Sequence, residues 1–86
     1  MIKLSDYVIN FIKKQGINDI FTISGGGCIH LIDSIRKSNI NHICTHHEQA
    51  LAMAVEGYSR ISKNCGVGIV TTGPGGTNTL TGVLGC

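Results

Sequence analysis

The residues of this sequence best suited to chemistry are one glutamate and the two glycine-rich segments that flank it in the chain. The segments are Ser24-Gly25-Gly26-Gly27 and Thr72-Gly73-Pro74-Gly75-Gly76, and the glutamate is Glu48. A tight turn needs only one glycine, whereas consecutive glycines let the backbone come close to a flat ligand or to another chain. A carboxyl in apolar surroundings can share a proton with a nitrogen of such a ligand. We therefore expect a ligand site that combines backbone contact with one carboxylate.

Neither glycine segment matches a phosphate-binding fingerprint. In the G-x-G-x-x-G pattern, the last glycine is replaced by His30 in the first segment and by Asn78 in the second. Neither segment ends in the G-K-S/T of a P-loop. The sequence therefore does not predict binding of a dinucleotide or of a nucleoside triphosphate. The glycines could also serve only the turns between strands and helices.

Glu48 has a second, purely structural interpretation. The stretch from Thr45 to Glu48 matches the T-x-x-E capping box, in which Thr45 caps a helix and Glu48 bonds back to the Thr45 N–H. Asn78, near the start of the next predicted helix, could likewise contact a ligand or only its local backbone. Both interpretations stay open for each residue at this point.

Histidines near the predicted site are weaker candidates. His30, His46 and His47 could act as acids or bases, and His47 is the strongest of them because it adjoins Glu48. Each could equally be a packing or hydrogen-bonding residue. The cluster of His42, Cys44, His46 and His47 fits no standard zinc spacing, so no metal site is predicted within the chain.

Composition limits the class of protein. Of the 86 residues, 42% are hydrophobic and 14% are charged, against about 25% charged in a typical globular domain. Such a chain is too apolar to be disordered, and we expect some of its faces to contact other protein. The net charge of +2 comes from scattered cations, so we expect no nucleic-acid partner. No apolar run approaches the roughly 20 residues of a membrane span, so we expect no membrane contact.

The cysteine pattern and the N-terminus suggest a cellular compartment. The four cysteines form no C-x-x-C pair, and the first residues have no signal-peptide pattern. We therefore expect a cytoplasmic protein with reduced, mostly buried thiols.

Hydrophobic periodicity predicts the order α-β-α-β-α-β-α. The predicted helices span residues 6–15, 28–37, 46–62 and 77 to the end, and the predicted strands span 20–23, 42–44 and 66–71. Short apolar strands between helices indicate a parallel sheet covered on both faces. We expect Ser5 to cap the first helix and Glu56–Arg60 to form an i,i+4 pair in the third. Ligands of such sheets bind outside the carboxyl ends of the strands, where both glycine segments and Glu48 fall.

The predicted apolar faces of two helices define the expected core. The first helix would use Tyr7, Val8, Phe11 and Ile12, and the third would use Leu51, Ala54, Val55, Tyr58 and Ile61. Three strands with an unfinished last helix make an incomplete doubly wound parallel sheet. We therefore interpret residues 1–86 as the N-terminal part of a larger domain, truncated at its C-terminal end.

Three strings in the chain together resemble a known family. They are His47-Glu48-Gln49, Ala54-Val-Glu-Gly-Tyr-Ser-Arg60 and Val70-Thr-Thr-Gly-Pro-Gly-Gly-Thr-Asn78. They are similar to H-E-Q, A-x-E-G-Y-A-R and T-S-G-P-G-x-T-N of the N-terminal pyrimidine-binding domain in thiamine-diphosphate enzymes, especially acetolactate synthase and its relatives. The resemblance extends over the whole chain. The first loop departs from it, because Ser24-Gly25-Gly26 stands where acetolactate synthases usually have P-G-G, which leaves the 2-oxo acid open.

The resemblance implies a flavodoxin-like α/β fold and a thiamine-diphosphate site. Glu48, as the catalytic residue, would hydrogen-bond the pyrimidine N1′ and favour the imino tautomer, which takes the proton from C2 of the thiazolium. The activated cofactor would then decarboxylate a 2-oxo acid and join the product to an acceptor. Gly25 and Gly26 would line the ring together with the 72–75 loop, in particular Thr72 and Gly73, and Asn78 would brace that loop.

The resemblance also implies partners. The family holds Mg²⁺ and the diphosphate in a separate domain with a G-D-G…N motif, and no G-D-G occurs here. We therefore expect the Mg²⁺ ligands outside this segment, on a diphosphate-binding domain of the same or another chain, in a homodimer or homotetramer. The 86 residues alone would be inactive. The alternative is a non-catalytic α/β fragment or regulatory module of the same fold.

Overall fold

A computed structural model describes residues 2–86 and shows helices alternating with short parallel strands. The helices are α1 (Leu4–Lys14), α2 (Ile29–Lys37), α3 (Glu48–Ser62), α4 (Pro74–Thr77) and α5 (Leu80–Gly85), and the strands are β1 (Asp19–Thr22), β2 (Asn41–Cys44) and β3 (Gly68–Ile69). A single 3₁₀ turn, Gly26–Cys28, leads from the first glycine segment into α2.

The three strands form one parallel sheet in the order β2-β1-β3. Central β1 pairs Ile20 with His42 on one side and Thr22 with Ile69 on the other. The connections from β1 to β2 and from β2 to β3 run in opposite directions across the sheet. Right-handed crossovers therefore place α2 and α3 on opposite faces. This confirms the predicted incomplete doubly wound sheet, with the strand order that begins a flavodoxin-like fold.

The core has two layers, one on each face of β1. Ile20, which is fully buried, packs with Ile9 of α1 and Ile35 of α2. The next residue, Phe21, points to the other face, as neighbours in a strand must. Its ring meets Tyr58 of α3 edge-on, with 6.0 Å between ring centroids. Edge-to-face contact is a favoured aromatic geometry, so this pair helps to fix α3 on the sheet.

Helices α3 and α5 cross in close contact because glycine stands at the crossing. A β-carbon at Gly82 would overlap the methyl group of Ala52, and both residues are buried. A similar approach occurs where α3 lies on β3, since a β-carbon at Gly68 would come within 2.5 Å of the Leu51 side chain. The absence of a β-carbon at Gly82 and at Gly68 thus lets α3 lie close to α5 and to β3.

Two predictions for the first helix are wrong. Helix α1 begins at Leu4 after Lys3, and Ser5 is a buried residue of the helix and not its cap. The Ser34 hydroxyl donates to Asp6 Oδ1 at 2.6 Å and lies 2.8 Å from Ser5 Oγ. Because Ser5 has this hydrogen-bonding partner, its polar side chain can be buried in the helix. Of the predicted apolar face, Tyr7 (60%), Phe11 (57%) and Val8 (36%) are exposed, whereas Ile12 is half-buried and packs against the core.

The later elements also differ from the predictions. Strand β3 has two residues where residues 66–71 were expected. The edge strand β2 is exposed along its length and not covered on both faces. The predicted helix from residue 77 begins only at Leu80, as α5, and α4 (Pro74–Thr77) lies where most of the second glycine segment was predicted to be a loop. Asn78 and Thr79, with ψ angles of −8° and −7°, separate the two helices.

Helix α3 keeps most of its predicted face. Leu51 is buried and Ala54, Val55 and Tyr58 are half-buried, but Ile61 is 87% exposed and Ala52 takes its place in the core. The predicted Glu56–Arg60 ion pair is present, with 2.6 Å between its charged atoms. Of the four cysteines, which are all unpaired, only Cys28 is buried, so the prediction of mostly buried thiols is wrong. Among residues 2–86, no helix has both the length and the apolar character needed to cross a membrane.

Replacing Ser34 with alanine should loosen the contact between α1 and α2. Losing the partner of the buried Ser5 hydroxyl costs about 1 kcal/mol in the free energy of unfolding. The Ser34 hydroxyl is also the main reason why the pKa of Asp6 lies below its ordinary 3.8, with nearby Lys37 adding to the effect. The pKa of Asp6 should therefore rise in the variant, as an NMR titration would measure.

The same variant gives a pH test. Because the folded-state pKa of Asp6 lies below the unfolded-state value, its stabilisation is present above about pH 4 and is lost as the pH falls through the folded value. The stability difference between wild type and Ser34→Ala, measured by urea unfolding, should shrink on acidification. A stability difference between the two proteins that is the same at neutral pH and below the folded-state pKa of Asp6 would contradict this account of Asp6.

Two glycine substitutions should have opposite effects on stability. Gly82→Ala should lower the free energy of unfolding by roughly 1–3 kcal/mol, because the new methyl group overlaps Ala52. Gly57→Ala in α3 has no heavy atom within 4 Å of the new β-carbon and should raise stability by about 0.5–1 kcal/mol. Thermal unfolding would show both, and a neutral Gly82→Ala would exclude the close crossing.

Candidate functional site

The candidate site lies where β1 and β3 end and α3 begins. The chain reverses its direction of travel across the sheet between β1 and β3, and open α/β sheets bind ligands at such a switch point. The first glycine segment follows β1, the second follows β3, and Glu48 is the first residue of α3. Parallel strands bring these three segments to one edge of the sheet.

Glu48 has no capping role, so the capping-box interpretation is wrong. His47 is the N-cap of α3, and its Nδ1 accepts a hydrogen bond from the Gln49 N–H at 2.9 Å. The Thr45 hydroxyl donates to the backbone oxygen of His47 at 3.2 Å and does not cap the helix. Because the His47 side chain caps α3, the Glu48 side chain is available for other contacts. This also gives His47 a structural role, which the sequence left open.

The Glu48 carboxylate is half-buried and held on one side. The Asn78 Nδ2 donates to Glu48 Oε1 at 3.3 Å, across 30 residues of sequence. The other oxygen, Oε2, lies 3.7 Å from the point where a β-carbon at Gly75 would stand. The carboxylate thus has one oxygen restrained by an amide and one that faces backbone without a side chain. This arrangement can offer a single acceptor, or a single shared proton, to a ligand lying against Gly75.

Thr71, which the sequence analysis did not select, joins the two glycine segments. Its hydroxyl accepts a hydrogen bond from the Gly27 N–H at 3.2 Å. A β-carbon at Gly25 would lie 2.5 Å from Thr71 Cβ, and one at Gly75 would lie 2.9 Å from Thr71 Cγ2. The signals for this residue were its place in the Val70–Asn78 string and its position directly before the second segment, at the end of a predicted strand.

Other predicted site residues lie on the exposed parts of the same loops. Gly26 is exposed and a β-carbon there would meet nothing within 4 Å, so space does not require glycine. Gly73, with φ of +69°, has a backbone conformation that favours glycine, and it starts the turn into α4. Thr72 is exposed beside it. Asn78 therefore bonds directly to Glu48, and Gly75 lies beside its second oxygen. Gly25 is linked to this group only through Thr71, which approaches both Gly25 and Gly75. Gly26, Thr72 and Gly73 face solvent.

The remaining polar candidates do not join this group. His30 lies exposed in the first turn of α2 and His46 lies exposed before α3. Within residues 2–86, no three histidine, cysteine or acidic side chains come together in a way that could hold a metal ion. The chemistry of the described site therefore rests on Glu48 and on the backbone of the glycine loops.

The chain is similar in sequence to proteins of one known family. A family model described as "Thiamine pyrophosphate enzyme, N-terminal TPP binding domain" matches residues 2–86. The acetolactate synthase isozyme 2 large subunit of Escherichia coli is 37% identical over 79 residues, which are 92% of this chain and 14% of that protein. The acetolactate synthase large subunit of Lactococcus lactis is 40% identical over 80 residues, again 92% and 14%.

A third relative comes from another organism. The probable acetolactate synthase large subunit of Methanocaldococcus jannaschii is 38% identical over 81 residues, 94% of this chain and 14% of that protein. The chain thus spans about one seventh of the length of the curated relatives it matches. Because the family model matches nearly every residue, the chain belongs to the family of N-terminal TPP binding domains of thiamine pyrophosphate enzymes, in an acetolactate synthase-like form.

Proposed function

We propose that this chain is the pyrimidine-binding part of a thiamine-diphosphate-dependent 2-oxo-acid decarboxylase or carboligase, and that Glu48 is its catalytic residue. The observation that carries the proposal is the state of the Glu48 carboxylate. Asn78 restrains one oxygen, and the other faces the bare backbone of Gly75. An acidic group with one free oxygen beside side-chain-free backbone suits a flat ring that carries a nitrogen acceptor.

The residues present fit an aminopyrimidine. The ring would lie against Gly75, where any β-carbon would fall 2.9 Å from Thr71 Cγ2 and near the carboxylate. Glu48 Oε2 would share a proton with the ring nitrogen N1′. Loop residues Gly25, Gly26, Thr72 and Gly73 would flank the ring through backbone approach, which bulky side chains would prevent. Thiamine diphosphate, when bound, supplies the electron sink for decarboxylation of a 2-oxo acid.

The role of this chain is to bind the ring and to move one proton. Glu48 Oε2 would hold a proton at N1′ and return it as the charge on the ring changes. The Asn78 amide keeps Oε1 in place while this happens, so the proton moves at one defined oxygen. Acid–base groups positioned in this way contribute about 10²–10⁴-fold to a rate. We propose a reaction of the lyase or transferase class.

The proposal requires a second protein component. The 86 residues contain no G-D-G motif, so we assign Mg²⁺ and the diphosphate to a separate domain of the same or another chain. Large apolar side chains stand exposed on α1 and α5, which supports a homodimer or homotetramer with protein on these faces; they include Phe11, Leu80 and Leu84. The isolated chain would then be inactive.

We also place the protein in the cytoplasm. Cys44, Cys65 and Cys86 are exposed and unpaired in the structure. Exposed thiols persist in a reducing compartment, whereas oxidising compartments pair them.

Substitution at Gly75 should separate ring binding from simple folding. In an NMR titration of the chain with millimolar thiamine diphosphate, Gly75→Ala should raise the Kd at least about tenfold, because the new methyl group would stand 2.9 Å from Thr71 Cγ2 and 3.7 Å from Glu48 Oε2 and would displace the groups that contact the ring. Gly76→Ala is the control, since a β-carbon there meets nothing within 4 Å. Thermal midpoints of both variants show whether the fold is retained. Equal Kd values for Gly75→Ala and wild type would contradict the placement of the ring.

Activity can be tested in a chimera. The 79 residues that match the Escherichia coli acetolactate synthase subunit would replace their counterparts in that enzyme. Glu48→Gln should lower its activity by at least about 100-fold, because the exchanged proton is lost. The control is Glu56→Gln, a change at the only other glutamate of the chain, which is paired with Arg60.

The two variants also distinguish the alternative function. A non-catalytic module would respond to Glu48→Gln only through stability, by roughly 0.3–1 kcal/mol for an acidic residue at a helix N-terminus. Full activity of the Glu48→Gln chimera would therefore remove the catalytic proposal.

A further inference from the structure

The Thr71 side chain is in contact with both glycine segments. It is half-buried two residues after β3, and all three of its side-chain atoms lie close to the β-carbon position of Gly25, while its hydroxyl also contacts Gly27 and its Cγ2 also approaches Gly75. The hydroxyl receives the Gly27 N–H at 3.2 Å. Its Cβ fills the space that a side chain at position 25 would need, and its Cγ2 fills the space at position 75.

We infer that Thr71 is a positioning residue that sets the separation of the two glycine segments, and thereby the width of the gap that receives the aminopyrimidine. This inference rests on the proposed function. The Gly27 bond spans 44 residues of sequence and links the loop after β1 to the loop after β3. A backbone bond from the Ile23 N–H to the Ile69 oxygen, at 3.2 Å, continues the pairing of β1 with β3 just past Thr22, and the Gly27 bond links the loops beyond that point.

The geometry explains why threonine suits this position. A hydroxyl is needed as acceptor for an exposed backbone N–H, and a methyl group is needed as the surface that meets Gly75. Serine supplies only the first and valine only the second. Because threonine is β-branched, its χ1 angle is restricted, and both groups stay in place together. Thr71 touches the loops and not the reacting atoms, so it acts through Gly25 and Gly75.

The test compares Thr71→Val and Thr71→Ser in the 86-residue chain, with Thr81→Val of the exposed face of α5 as the matched control. Two quantities are measured for each protein by NMR: hydrogen exchange of the Gly27 amide and the Kd for thiamine diphosphate. Thr71→Val should speed Gly27 exchange and raise the Kd about fivefold, the effect of one hydrogen bond. Thr71→Ser should keep the Gly27 exchange rate and recover most of the affinity, and Thr81→Val should change neither quantity.

The outcomes separate this inference from the proposed function. If wild type binds and Thr71→Val binds equally well, the positioning role is wrong while the proposed function stands. If Thr71→Val and Thr71→Ser lose affinity equally, the hydroxyl link is also excluded. If wild type does not bind thiamine diphosphate at millimolar concentration, ring binding by this segment without the diphosphate-binding domain is excluded, the Glu48→Gln chimera decides the proposed function, and the Gly27 amide decides the spacing role. Faster exchange in Thr71→Val but not in Thr71→Ser then supports it, and unchanged exchange overturns it.

Discussion

The architecture depends on the need to bury two adjacent residues of one strand. Ile20 and Phe21 are both buried, and neighbours in a strand face opposite sides of the sheet. Each side must therefore be covered by helices, which requires the chain to cross the sheet in both directions. With right-handed crossovers, the outcome is β1 in the centre, β2 on one side and β3 on the other. The point of reversal between β1 and β3 is then fixed.

The candidate site is a consequence of that reversal. Loops that leave neighbouring strands toward opposite faces diverge, and a gap opens between them. In this chain the gap is lined by backbone, because the positions nearest to Thr71 carry no β-carbon. Glu48, at the start of α3, places its carboxylate at this gap. Asn78, which lies between α4 and α5, restrains the carboxylate by a hydrogen bond. An acidic group and bare backbone thus share a small space, as an aminopyrimidine would require.

The tight contact between α3 and α5 stabilises the end of the molecule that carries the candidate site. Helix α5 approaches α3 through the contact of Gly82 with Ala52, one turn after Glu48. This crossing holds the segment that contains Asn78 near the beginning of α3. The irregular ψ angles at Asn78 and Thr79 belong to the turn between the two short helices. Helix packing and side-chain orientation at the site are therefore coupled.

Much of this protein was determined by local sequence patterns. Alternating periods predicted the elements and the parallel sheet, and the family strings predicted Glu48 and its neighbourhood, because periodicity and short motifs are properties of nearby residues. Only the tertiary structure decided that His47 and not Thr45 caps α3, that Ser5 is buried through Ser34, and that Thr71 joins two loops 44 residues apart. These three outcomes depend on contacts between elements distant in sequence, or on competition among neighbouring polar groups for one backbone N–H. Local propensity cannot predict such contacts, because they form only when the chain has folded.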